Sequence, residues 1–145
     1  MEAYDSEILS TAHTRYCNIV DTLEGTLLIG DEKAYYTKGK VLVAAATRLM
    51  ESYISKHDLV ILGNRYESQL CAIEMEADCI VVCEGAPVSL TIRKLAQERG
   101  CTVISTPFDT FTAARFYKSE YANQLLYEAR SFDHLRGRRI YRRYS

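Results

Sequence analysis

The chain has 145 residues, 48% of them hydrophobic, and a formal net charge of −1. That length allows one domain, or one domain with tails, and the balance excludes a strongly basic nucleic-acid binder. The apolar runs fall far short of the roughly 18 residues a membrane helix needs. The acidic start MEAYDSEIL lacks the apolar core of a secretory signal, so a cytoplasmic protein is expected.

Residues 5–23 read as a helix, because Ile8, Leu9, Ala12, Tyr16, Ile19 and Leu23 recur at spacings of three and four. Asp5 or Ser6 would cap its start. Gly25 ends the pattern, and a short apolar stretch and a polar turn follow. KVLVAAA, after Gly39, reads as a buried strand. Thr47 would cap a short helix carrying Leu49, Met50, Tyr53 and Ile54. Three strand–turn–helix units occupy residues 58–116. The first is LVILG with a helix bearing Leu70, Ile73 and Ala77. The second is CIVVC with Val88, Ile92, Leu95 and Ala96, stopped by Gly100 as a left-handed terminator. The third is TVIST, broken by Pro107, with a helix capped by Asp109 and carrying Phe111, Ala114, Tyr117, Tyr121 and Leu125. Crossover helices of about 10–14 residues favour parallel pairing, so the expected fold is α/β: a compact, mostly parallel sheet of about four or five strands. An N-terminal helix and a C-terminal helical or disordered tail would flank it. The organisation read from this is a helix and connecting segment over 1–38, the α/β domain over 39–118, and an extension with an arginine-rich tail over 119–145.

Residues 130–145 hold six arginines and one acid, which leaves twelve bases against eighteen acids in the remainder. An acidic body opposes the approach of a polyanion. Only the tail, where Tyr141 and Tyr144 interleave with arginines, suggests nucleic acid or an acidic partner; incidental charge explains it as well. Five cysteines, Cys17, Cys71, Cys79, Cys83 and Cys101, include no C-x-x-C pair. On one strand face Cys79 and Cys83 would stand roughly 13 Å apart at about 3.3 Å per residue, too far for one zinc ion. Buried, reduced thiols acting as small apolar groups are expected.

Ligands of open α/β sheets bind at the carboxyl ends of the strands, where the three turns fall. Gly63, Asn64 and Arg65 could admit an anion to backbone N–H groups and grip it with a guanidinium. Equally, Gly63 permits the turn, Asn64 caps the helix and Arg65 is solvated or paired with an acid. Ser105, Thr106, Asp109 and Thr110 could present hydroxyls and a helix N-terminus to phosphate, or simply cap the last helix. No P-loop, no G-x-G-x-x-G and no metal spacing among His13, His57 and His134 occurs. No nucleophile, base and orienter can be assembled, so no catalysis by this chain alone is expected.

The run LVILGNRYESQLCAIEMEADCIVVCEGAPVSLTIRKLAQERGCTVISTPFDTFTAARF resembles the DRTGG domain, in the form found in the regulatory region of CBS-containing family II inorganic pyrophosphatases. Residues 3–46 resemble the segment that joins the first CBS motif to that domain. The family's name-giving motif falls on Gly63, Asn64, Arg65, Tyr66 and Glu67; Asn64 replaces its aspartate and no Gly-Gly follows. The resemblance implies a non-catalytic regulatory module that pairs as a homodimer. It also implies manganese in a separate catalytic part and adenine nucleotides at CBS motifs. This chain shows no Asp-His-His motif and neither CBS motif, so no cofactor of its own is expected. A fragment or frame-shifted form of such an enzyme would account for the departure after Phe116. The competing expectations are a stand-alone nucleotide or phosphate sensor, and partner binding through the arginine-rich tail.

Overall fold

A computed structural model describes residues 14–36, 39–44 and 53–121, and the backbone of 126–129 and 139–141. In chain order the elements are β1 (Thr14–Arg15), α1 (Tyr16–Thr22), β2 (Thr26–Ile29), β3 (Tyr35–Tyr36), β4 (Val41–Ala44) and β5 (Leu59–Leu62). There follow α2 (Tyr66–Glu74), β6 (Cys79–Val82), α3 (Leu90–Arg99), β7 (Thr102–Ser105), α4 (Thr110–Glu120), β8 (Leu126–Ala129) and β9 (Arg139–Tyr141). The main sheet has the order β2-β7-β6-β5-β4-β8-β9. Its five inner strands are parallel, and β2 and β9 close the two edges antiparallel.

The apolar runs become strands because parallel sheets are covered on both faces. Every residue of β4, β5 and β6 is buried. The pleat divides them by alternation. Leu42, Val60, Leu62, Ile80 and Val82 face α2 and α3 through Ala72, Ile73, Ile92 and Ala96. Val41, Val43, Leu59, Ile61, Cys79 and Val81 face α1 and α4 through Ile19, Leu23, Ala113 and Tyr117. Three layers result, and the mostly parallel α/β fold expected from sequence is the one observed.

At the amino end of the inner strands one carboxylate holds the chain. Asp58, 1% exposed, accepts from the Lys40 and Ser55 backbone N–H groups at 3.1 and 2.8 Å and pairs with Lys40 Nζ at 2.5 Å. The preceding turn presses on it: a Cβ at Gly39, whose φ is +62°, would fall 2.2 Å from the His57 carbonyl oxygen. That position therefore requires glycine for both space and backbone angle.

Several local expectations are corrected. The helix expected over 5–23 begins only at Tyr16 within the described residues, because Thr14 and Arg15 are extended and pair with β3. The first N–H groups of α1 donate to Ala34 and Glu32 carbonyls at 2.9 and 2.8 Å, so a folded-back loop occupies the place of a preceding helical turn. The segment at Thr26 joins the sheet antiparallel to β7. The last helix stops at Glu120, short of Leu125, and Leu126–Ala129 pairs parallel with β4. Within the expected arginine-rich tail, Arg139–Tyr141 is a strand. The caps expected at Asp5, Ser6 and Thr47 lie outside the described residues.

Candidate functional site

The β5–α2 turn is the most open of the three. Gly63 has no left-handed backbone angle, and an added Cβ would meet nothing within 4 Å, so the fold itself does not demand glycine there. Asn64 and Arg65 are exposed. Arg65, not Asn64, occupies the N-cap position, with φ −79° and ψ 128°, and no side chain caps the helix. The first N–H groups of α2 are thus left to solvent or a ligand rather than to a cap. Gln69 Nε2 donates to the Gly63 carbonyl at 3.4 Å, which ties the turn to the first coil of α2.

The β6–α3 turn is built differently. Glu84 and Gly85 both adopt left-handed angles, φ 64° and 62°. For a non-glycine residue that conformation is unfavourable by about 1–2 kcal/mol. Two hydrogen bonds offset it: the Glu84 N–H donates to Phe108 O at 2.7 Å and the Gly85 N–H to Thr106 O at 2.8 Å. The turn is thereby fastened to its neighbour. Ser89 caps α3 by accepting from the Ile92 N–H at 3.2 Å, a cap that the sequence reading missed although serine three residues before an apolar position is a recognisable signal.

At the β7–α4 turn the polar groups serve the fold. Ser105 closes the strand, half-buried, opposite Val82 and Thr26. Thr106 is wholly buried; its hydroxyl donates to Leu23 O at 2.6 Å and accepts from the Phe108 N–H at 3.2 Å. Asp109 caps α4 through the Thr112 N–H at 2.6 Å, and that bond holds its carboxyl below the usual range. Thr110 is the first helical residue. Thr106 and Phe108 are thus hydrogen-bonded to Gly85 and Glu84 across the two turns, while Asp109 bonds within its own helix. Gly63, Asn64 and Arg65 stand one strand further along, beyond β6.

The strand order reverses between β4 and β8, since β4 leads to β5 on one side while α4 carries the chain to β8 on the other. Such a reversal opens a crevice at the carboxyl ends, but the residues following both strands lie outside the described set. A cleft of about 610 Å³ sits at the opposite end of the sheet, between β2, the start of β7 and the end of α3. Among the described residues no group of three or more His, Cys, Asp or Glu could hold a metal ion. Cys79, Cys83 and Cys101 are buried, and burial pushes the Cys83 and Cys101 thiols up to about 12. No helix among the described residues is long and apolar enough to cross a membrane.

A doubly wound sheet with these turns defines an open α/β domain; the DRTGG domain family matches residues 18–119, and the chain belongs to it. The sequence is 38% identical over 116 residues to the cobalt-dependent inorganic pyrophosphatase of Clostridium perfringens, covering 79% of this chain and 21% of that protein. It is 30% identical over 112 residues to the uncharacterized protein YtoI of Bacillus subtilis, covering 77% and 25%. The fold is similar to the crystal structure of the CBS and DRTGG domains of the regulatory region of the Clostridium perfringens pyrophosphatase, complexed with its activator diadenosine tetraphosphate. The TM-score is 0.67 at 37% identity, over 75% of this chain and 47% of that one. The chain thus spans about a fifth to a quarter of the curated relatives it matches. The part solved in the structural relative is that protein's regulatory region.

Proposed function

We propose that this chain is a non-catalytic regulatory module that self-associates as a homodimer and modulates pyrophosphate hydrolysis rather than performing it. The observation that carries the reading is its likeness, at 37% identity, to the regulatory region of a pyrophosphatase. The chemistry at the turns agrees with it. The hydroxyl of Thr106 and the carboxylate of Asp109 hold hydrogen bonds within the fold, and neither is placed as a base or nucleophile. Two measurements test it. Purified chain assayed for phosphate release from pyrophosphate, with manganese or cobalt, is expected to show none above background. Sedimentation equilibrium is expected to give twice the chain mass. Turnover that co-purifies with the chain, or a strictly monomeric chain at high micromolar concentration, overturns the respective half.

A second reading is favoured by one feature, the α2 N-terminus without a side-chain cap. It makes Gly63, Asn64 and Arg65 an anion-binding turn that takes the phosphate of a nucleotide. Thermal-shift titration with AMP, ATP and diadenosine tetraphosphate tests it. Stabilisation by any of them that Arg65→Ala abolishes supports it, and no shift at millimolar ligand removes it.

A further inference from the structure

We propose that the cleft at the amino end of the parallel strands binds a small organic cation, an ammonium group on a short apolar body. The cleft is of ligand size, about 610 Å³. Leu28, Ile29, Ala34 and Ala96 give it an apolar wall. Its charged lining consists of Asp31 and Asp78 alone among the described residues; the exposed Lys33 and Arg99 nearby do not line it. Gln97 and Gly100 bring the carboxyl end of α3 to the same space. That end carries the negative pole of the helix and so favours cations. Both carboxylates are held in position. Asp31 accepts from the Lys33 backbone N–H at 3.0 Å, and Asp78 is 3.0 Å from His57 Nδ1, each through one oxygen. Two carboxylates from separate connections, a helix carboxyl end and an apolar wall thus line one space, and the first two disfavour an anion. The site is remote from the turns at the other end of the sheet and does not depend on their role.

The experiment is an amide chemical-shift titration of the full chain with n-butylammonium chloride, with butyrate and 1-butanol as anionic and neutral counterparts. The expected result is saturable shifts at Gly30, Asp31, Ala96 and Gly100, produced by the ammonium and by neither counterpart. Affinity is expected to fall at least tenfold in Asp31→Asn and in Asp78→Asn. Asp78→Asn also disturbs His57, so Asp31→Asn, on an exposed loop, decides the matter should the other variant fail to fold. Unsaturable shifts spread over the acidic surface, equal binding of 1-butanol, or wild-type affinity in Asp31→Asn each overturn the assignment.

Discussion

The two ends of the sheet are stabilised by different means. At the carboxyl end, backbone groups and short polar side chains close the turns on one another: Glu84, Gly85, Thr106 and Phe108 form a single hydrogen-bonded patch. At the amino end a single buried carboxylate, Asp58, gathers Lys40 and Ser55. The first arrangement spreads the stabilisation over many modest bonds. The second concentrates it in a charge that has no water to fall back on. Stabilisation at the end where open α/β sheets bind ligands is thus achieved without ionised groups in the interior.

The contrast makes a ranked set of outcomes. Asp58→Ala is expected to destabilise most, by about 3–5 kcal/mol, because the Lys40 ammonium and the Lys40 and Ser55 backbone N–H groups all lose the carboxylate they share; urea denaturation measures it. Thr106→Val comes next, at about 1–3 kcal/mol, since the Leu23 carbonyl and Phe108 N–H both lose their partner in a dry site. If Thr106→Val proves the more damaging, the ranking of the two ends is reversed. Ser89→Ala removes a cap and is expected to lower stability by about 1 kcal/mol.

The smallest effect is at Asp109 and depends on pH. Its carboxyl is depressed in the folded state by the Thr112 N–H. Its contribution is therefore present above the unfolded value of about 4 and lost as pH falls through the folded value. The gap in urea midpoint between wild type and Asp109→Asn should be constant from pH 7 to 5 and close toward pH 3. A gap that widens on acidification contradicts the cap. Thiol labelling adds a qualitative check: Cys17 and Cys71, half-buried, should react in the native state while Cys79, Cys83 and Cys101 stay protected until unfolding.

Much of this fold was readable from the chain because its central strands are covered on both faces. LVIL and CIVV have no polar interruption, as strands buried on both faces allow, and the turn residues and amphipathic helices that follow them favour a parallel sheet. Asp109 and Gly100 were equally legible, as capping chemistry is local. What escaped is long-range. Nothing near Thr106 indicates that its hydroxyl will meet a carbonyl 83 residues earlier. Nothing in YANQLLYEA distinguishes a helix that continues from one that ends and supplies a strand beside β4. Thr14 and Arg15 fall inside the stretch whose apolar spacing is helical, yet pairing with Tyr36 and Tyr35 made them a strand and delayed the helix to Tyr16. The candidate anion turn was found by its glycine and arginine, whereas the cleft opposite has lining residues from four elements and no contiguous signature.

The tandem left-handed turn at Glu84 and Gly85 also separates the loops into those that can be lengthened and those that cannot. Its two amides lock the β6–α3 and β7–α4 connections into one platform, so an inserted peptide in either would unseat both. The segment at Asn64 is exposed and outside that platform. It is the place where an epitope or a reporter could be grafted with the scaffold left intact.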